Sequence, residues 1–454
     1  MNKLEAFNTN QKITDYVKLI EAKINKKYLT FFGIDYWPVI RLQIAFSLIK
    51  NNQKQVSSSE KRKKFDKKLK KVKFSGFDSQ LFITHKNYSI NINHKNYDRV
   101  LEKNIREASN PIILDLYDFS FYERNNKSYI KNFFNLISFI RVLSFIAGLL
   151  VSFLRPERVK YLNSLQLIDG ITTSPVISGR RILIRIMYVH FLSKFIGYLL
   201  KKYKINSIYQ AMYYDNFGLA AGLAAHKNQI LNLCVQHGGQ SENNPAFGNW
   251  TSIPNQGSEF LPNIFLCWDD SSASFINSWQ SQTLKHKTKV IGHGWVEIYK
   301  KESTSIENYP ISESIFNNKK NILITLQPSV VFDSSYINDF ILNSSMTVNW
   351  ILKLHPRQEG EDFVKKIESS FKSYENIIIC TSKTPLPFLM AHCDVHITFF
   401  SSSIYEAIFL NKPTIIVDKR GLDYFSKYIE AGLAYYAPNN TELDRILSSE
   451  LDIL

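Results

Sequence analysis

Short apolar runs, each closed by a polar loop and several followed by a helix-period segment, recur along the chain. In the first half they are LFITH (81–85), PIILDLYD (111–118), SIYQAMYYD (207–215), ILNLCVQHGG (230–239) and NIFLCWDD (263–270). In the second half they are KVIGHG (289–294), NILITLQ (321–327), WILKLHP (350–356), NIIICTS (376–382), DVHITFFSSS (394–403) and PTIIVDK (413–419). Near-continuous apolar strands alternating with helices predict parallel sheets covered on both faces. GLAAGLAAHK (218–227), between two such runs, predicts a βαβ unit. A chain of 454 residues exceeds one ordinary core. The pattern therefore predicts two α/β domains facing a cleft, 1–287 and 288–454, with KVIGHG opening the second. Ligands of open α/β sheets bind beyond the carboxyl ends of the strands. Asp215, His237, His355 and Ser401–Ser403 all stand at such ends.

Two longer apolar stretches break the rhythm. FFNLISFIRVLSFIAGLLVSFL (133–154) has the length of a membrane span, but Arg141 sits near its middle, where a charge is costly in lipid. It is expected as a buried helix or one lying in an interface. RRILIRIMYVHFLSKFIGYLLKK (180–202) is interrupted and flanked by basic residues. It fits either a core helix or a helix resting on anionic lipid.

Charge supports an anionic partner. The net charge is +16 and the pI about 9.4. That balance suits a nucleotide, a membrane surface or nucleic acid. The run EKRKKFDKKLKKVK (60–73) reads as a solvated face or as a tether to anionic head groups. Nucleic acid is disfavoured, because Phe65 alone among aromatics interleaves the lysines and no nucleic-acid-binding module surrounds them. The four cysteines, Cys234, Cys267, Cys380 and Cys393, have neither metal spacing nor a disulfide framework. A reducing compartment and no zinc site are expected. MNKLEAFNTN at the start has no apolar signal core, so the expected location is cytoplasmic, peripheral on the inner face of the membrane.

The strand ends carry the candidate chemistry. Pro356 removes a backbone donor and ends the strand WILKL, turning His355 and Arg357 out of the sheet. A histidine there suits a phosphate oxygen. Ser401, Ser402 and Ser403 precede a helix; one of them would suffice as an N-cap, whereas three hydroxyls suit an anion. Glu406 fits either a ribose hydroxyl or a capping box with Ser403. Gln327, at another strand end of the same half, joins them as a donor-site candidate. In the first half Gln236, His237, Gly238 and Gly239 end a strand, and the glycines let backbone approach a ligand. His237 is the first candidate for a general base and Asp215 the second; the bland alternative for His237 is a tight turn. No D-x-D motif occurs, so a metal-dependent donor site has no anchor.

These motifs together resemble bacterial surface-polysaccharide and capsule biosynthesis proteins of the GT-B type. The carriers are Lys353–Pro356, then Ser401–Ser403, Glu406-Ala407, and Asn411 with Pro413. Bacterial sialyltransferases, Kdo transferases and polyol-phosphate transferases share the His-Pro and serine elements. QHGG (236–239) is similar to the histidine-glycine loop of the last group, and GIDYWPVIR (33–41) looks like a further set of surface-carbohydrate proteins. The resemblance implies two Rossmann-like domains. It implies a metal-independent glycosyltransferase with no cofactor beyond its donor, a nucleotide-activated sugar such as a CMP-linked nonulosonic acid or Kdo. A glycan or lipid-linked glycan would be the acceptor. In those families the His and Ser hold the phosphate of a cytidine nucleotide, which maps here onto His355 and Ser401–Ser403. Polyol-phosphate transfer is the enzymatic alternative, and a membrane-associated scaffold of polysaccharide assembly the non-enzymatic one. One departure stands out: the acidic pair followed by glycine that supplies the sialyltransferases' base has no match. Asp269-Asp270 is followed by Ser271, and Ile168 precedes Asp169-Gly170.

Overall fold

The computed structural model describes residues 10–454 apart from 53–77, 93–94, 125–128, 241–243, 249, 254–256, 281–284, 303–315, 317–318, 328–334, 345–346, 356–357, 359 and 382–383. The basic run 60–73, Pro356 and Arg357 therefore lie outside the described residues. The chain forms two compact units, one of residues 1–90 with 97–294 and the other of 91–96 with 295–454.

The first unit is built on an eight-stranded sheet. Its strands are β1 (Ser79–Thr84), β2 (Pro111–Asp115), β3 (Ser120–Glu123), β4 (Tyr129–Asn132), β5 (Ile205–Gln210), β6 (Leu231–Val235), β7 (Ile264–Cys267) and β8 (Lys287–Val290). The spatial order is β8-β7-β6-β5-β1-β2-β3-β4. All neighbours from β8 to β2 pair in parallel, and β3 and β4 add an antiparallel edge. The chain thus starts in the middle at β1, leaves on one side through β2, and resumes on the other at β5. The helices that bear on the site are α1 (Asn10–Glu21), α2 (Trp37–Asn52), α3 (Phe134–Leu154), α4 (Pro156–Ser164), α5 (Gly179–Lys202) and α6 (Asn216–Lys227).

One expectation needs correction. The strand within KVIGHG does not open the second domain. It is β8, the edge of the first sheet, with Thr288 in register with Phe265 of β7. The unit boundary follows Gly294 rather than residue 287. The reason is legible in KTKV itself: three of its four side chains are exposed, as befits a charged edge strand rather than the centre of a new sheet.

The second unit is a six-stranded parallel sheet of β9 (Lys320–Thr325), β10 (Val348–Lys353), β11 (Ile377–Cys380), β12 (Val395–Thr398), β13 (Thr414–Ile416) and β14 (Tyr435–Tyr436). Its order, β11-β10-β9-β12-β13-β14, is the doubly wound Rossmann arrangement. All six residues of β10, VNWILK, are buried, as a central strand covered on both faces must be. The helix α7 (Ser403–Phe409) follows β12, and α8 (Lys419–Glu430) follows β13.

The two apolar stretches separate. α5 is a core helix: Ile182, Leu183, Ile186, Val189, Leu192, Ile196 and Leu199 are buried, and it packs against α3 and α6. α3 is half covered. Ile137, Ile140, Ser144, Gly148 and Ser152 face inward, and a Cβ on Gly148 would come within 2.6 Å of Ile184.

The GIDYWPVIR motif is structural. Its Arg41 is fully buried and donates from Nε to Glu21 Oε1 at 2.9 Å. Nη1 donates to the Pro245 carbonyl, Nη2 to the Gly248 carbonyl at 3.3 Å, and the guanidinium lies 4.0 Å from the Trp250 ring centre. Trp37 Nε1 also donates to Glu21, at 3.0 Å. α1 and α2 thereby fasten Pro245, Gly248 and Trp250, which follow His237 in the chain.

Candidate functional site

In the first unit the topological switch point lies between β1 and β5, and both carboxyl ends carry chemistry there. His85 directly follows β1, and its Nε2 is 3.7 Å from Asp215 Oδ2, at the start of α6 after β5. The other carboxylate oxygen, Oδ1, caps α6 by accepting from Gly218 N at 2.6 Å. This cap is possible because residue 218 is glycine: a Cβ would lie 2.1 Å from the Met212 carbonyl oxygen. Arg185, from α5, donates to Asn216 Oδ1 at 2.8 Å. Burial lowers its pKa to about 10, and the Asp215 charge acts in the opposite sense.

His237 follows β6, the next strand outward. Its Nε2 lies 2.9 Å from the Tyr214 hydroxyl, and the Tyr88 ring lies 5.4 Å away, centre to centre. His85, Tyr88, Tyr214, Asp215 and His237 thus form a cluster rich in aromatic rings, with one carboxylate. Desolvation raises the Asp215 pKa; His85, the amides of Gly218 and Phe217, and Arg185 pull it back. Desolvation also lowers His85, and lowers His237 to about 4 with help from His85. Burial thus disfavours the charged form of both imidazoles and of Asp215, the one carboxylate among these five groups. Asp215 and His237, the second and first sequence candidates for a base, thus both stand in this cluster.

The remaining first-unit candidates divide. Gly238 and Gly239 are partly or fully exposed. Gln236, expected among the acceptor contacts, is fully buried. Its amide donates to Ser272 Oγ at 3.0 Å and to the Gly238 carbonyl at 3.1 Å, and accepts from Trp268 N at 2.7 Å. It holds the loop that presents His237.

In the second unit the switch point lies between β9 and β12. Gln327 follows β9, and its Oε1 accepts from Phe400 N in the loop after β12 at 3.1 Å. Gln358 ties in the third strand end: its Oε1 accepts from His355 N at 3.1 Å, and its Nε2 donates to the Gln327 carbonyl at 3.2 Å. His355, Gln327 and the serine loop therefore share one edge. Lys353, of the Lys-Leu-His-Pro stretch, is buried and donates to the Thr381 carbonyl.

The three serines are not equivalent. Ser401 and Ser402 are half-buried, and Ser401 Oγ accepts from Ser403 N at 3.2 Å. Ser403 is buried, with its hydroxyl 3.0 Å from Thr325 Oγ1 and 3.3 Å from His396 Nε2. Thr325 Oγ1 also lies 3.0 Å from both His396 Nε2 and Thr398 Oγ1. Burial lowers His396 to about 3, so its ring is a neutral member of this network. Ser403 thus braces the loop from within. Glu406 is half-buried one turn into α7. Asn411, at φ 54°, ends α7 in the left-handed region that asparagine tolerates, so the Asn-x-Pro element is a helix stop. The loop is also held from outside: the Arg420 guanidinium lies 4.0 Å from the Phe400 ring centre, and a Cβ on Gly421 would come within 2.0 Å of the Phe399 carbonyl oxygen.

Four contributors escaped the sequence reading: His85, Arg185, Gln358 and Arg420. His85 ends an apolar run just as His237 and His355 do, so its signal was present. Arg185 stands in the sequence as one basic interruption among several in an otherwise apolar stretch. Gln358 and Arg420 had no pattern to mark them.

No protein-family model matches the sequence, and no curated protein matches it. Among solved structures, the chain is similar to the UDP-GlcNAc 2-epimerase from Methanocaldococcus jannaschii, at 16% identity and a TM-score of 0.50 over 82% of this chain and 93% of that one. A putative UDP-N-acetylglucosamine 2-epimerase from Listeria monocytogenes is similar at 10% identity, TM-score 0.50, over 83% of this chain and 88% of that one. At such identities the likeness establishes the fold. It agrees with the two sheets described above: the chain has a GT-B-type architecture of two Rossmann-like α/β units.

Proposed function

We propose that the protein is a metal-independent GT-B glycosyltransferase of bacterial surface-polysaccharide synthesis, moving a sugar from a nucleotide donor to a glycan or lipid-linked glycan. The observation that carries this reading is that each sheet ends in convergent polar side chains at its own topological switch point, where such folds bind ligands. In the second unit, His355 with Ser401, Ser402 and Gln327 suits the departing nucleotide phosphate. In the first, Asp215 suits the acceptor hydroxyl.

The acceptor oxygen attacks the anomeric carbon as the bond to the phosphate oxygen breaks. The hydroxyl proton passes to Asp215, and the electron pair leaves with the nucleotide. Negative charge on that phosphate grows toward the transition state, so preorganised donors there stabilise it more than they stabilise the bound donor. His85 and Arg185 hold the Asp215 carboxylate. His237, paired with Tyr214, shapes the acceptor side and is the alternative base.

The test begins with nucleotides, because a ligand that binds the folded state raises the melting temperature. CMP, CDP, UMP, UDP and dTDP are compared by thermal shift. The sugar-linked donor of the responding class, with UDP-GlcNAc included because the similar solved structures carry that sugar nucleotide in their names, is then incubated with and without glycan acceptors. Donor-dependent glycosylation supports the proposal. Conversion of the donor sugar to its C2 epimer without acceptor replaces it with an epimerase, and absence of any nucleotide response overturns the nucleotide-sugar reading altogether.

A further inference from the structure

α3 has a second face that the first unit leaves bare. Phe139 is 61% exposed, Val142 58%, Phe145 52%, Ile146 50%, Leu150 55% and Phe153 82%. At 100° per residue these positions form one stripe, opposite the inward stripe of Ile140, Ser144, Gly148 and Ser152. A continuous exposed apolar face of this size marks an interaction surface.

Arg141 does not interrupt it. It lies roughly 120° around the helix from the centre of the bare face. There its guanidinium sits 5.7 Å from the Phe119 ring centre, and Nε donates to the Tyr188 hydroxyl at 3.4 Å. The charge that argued against lipid is thus turned aside from the face that would meet it. The other side of the same helix is committed to protein: Gly148 is pressed onto Ile184 of α5.

The surroundings select the occupant. From Phe134 to Lys204 the chain carries eleven Lys and Arg against two acidic residues, Glu157 and Asp169, so this segment supplies +9 of the net +16. Arg155 and Lys160 are exposed where α3 passes into α4, and Arg180 and Arg181 are exposed at the start of α5. These ends are packed together, since Gly179 N donates to Asn163 Oδ1 at 2.7 Å. An apolar stripe beside a basic cluster matches an anionic bilayer surface, where acyl chains take the stripe and head groups take the arginines.

We infer that α3 lies in the plane of an anionic lipid bilayer and docks the first unit there by its bare face. The inference does not depend on the reaction proposed above. In cosedimentation, full-length protein should bind phosphatidylglycerol-containing vesicles and bind neutral phosphatidylcholine vesicles much less. Salt should weaken the binding without abolishing it. Ile146→Asp with Phe153→Asp should reduce partitioning by about a hundredfold or more, because each removes a buried apolar side chain from the lipid. Both residues are exposed, so thermal melting should be unchanged. Arg180→Gln with Arg181→Gln should reduce anionic binding while leaving the residual binding at high salt. Equal vesicle binding by wild type and the Ile146/Phe153 variant would overturn the inference. So would a lipid-free dimer in analytical ultracentrifugation that this variant dissociates, since a second copy would then be the occupant.

Discussion

Asp215→Asn isolates the proposed proton acceptor with little structural disturbance. Asn is as good an N-cap as Asp, so its side-chain oxygen keeps the Gly218 amide and α6 keeps its start. What is lost is the negative charge facing His85 and Arg185. Removing a general base costs about 10² to 10⁴ in rate, or ~3–5 kcal/mol of transition-state stabilisation. The pH behaviour gives a sharper test. Desolvation raises the Asp215 pKa in the folded protein, so the reactive carboxylate forms only as pH rises through that raised value. The wild-type rate should climb on this acidic limb, and the Asn variant should lose it. Stability follows the opposite sign. A raised folded-state pKa gives stabilisation that is present below the unfolded value and lost as pH rises through the folded one. Above that folded value the wild type has lost it, so there the Asn variant should melt at the same or a higher temperature, with the difference vanishing in acid. His85 helps hold the Asp215 pKa down, so His85→Ala should move the limb to higher pH and leave the plateau less affected. Turnover of folded Asp215→Asn within threefold of wild type, or an unchanged acidic limb, would refute the assignment.

The serine loop and the buried charges give further outcomes. His355→Ala should cut transfer by about 10² to 10⁴ with little change in melting temperature, as the side chain of a half-buried strand-end residue contributes to phosphate stabilisation rather than to the core. Ser402→Ala should weaken nucleotide binding in calorimetry with an unchanged melting temperature. Ser403→Ala should do the reverse, costing about 1–3 kcal/mol in urea unfolding because Thr325 and His396 lose a buried partner. Glu21→Gln should cost about 3–5 kcal/mol by the same measurement, since it leaves the fully buried Arg41 charge uncompensated. Acid should destabilise the whole chain. Burial holds His190, His237 and His286 at about 4 and His293 and His396 at about 3. The unfolded chain then takes up protons below its ordinary histidine value of about 6.5 while the folded chain does not, so stability falls as pH falls. Asp98, raised to about 6, works the other way and offsets part of the loss. Urea midpoints between pH 7 and 5 should fall, and His396→Gln should flatten the slope.

Much of the fold was legible because each central strand is buried on both faces and so must be apolar throughout. WILKL, NILIT and HIT announce themselves for that reason, and the polar residue that ends each run falls at the carboxyl edge. What remained hidden depends on pairing or phase. Nothing in the local sequence joins His85 to Asp215; the neighbouring places of β1 and β5 in the sheet do. The expected domain boundary erred because a short strand carries no mark of which sheet it joins, although the lysines of KTKV suit an edge better than a centre.

Phase matters most in the serine cluster and in α3, where composition alone does not say which side chain faces where. In Ser401–Ser403 one side chain points into the sheet and two do not, because successive residues at the mouth of a helix turn by about 100°. The residue nearest the helix, Ser403, is the one captured by Thr325 and His396, which leaves Ser401 and Ser402 at the mouth. The same rotation explains Arg141. Averaged over the stretch 133–154, it is a charge in the middle of an apolar span. Placed on the helix, it belongs to the flank that packs on Tyr188 and Phe119. The small residues Ser144, Gly148 and Ser152, four apart, mark the side that faces protein, since only they let α5 approach so closely. The large residues left over then define a face that the protein itself does not cover.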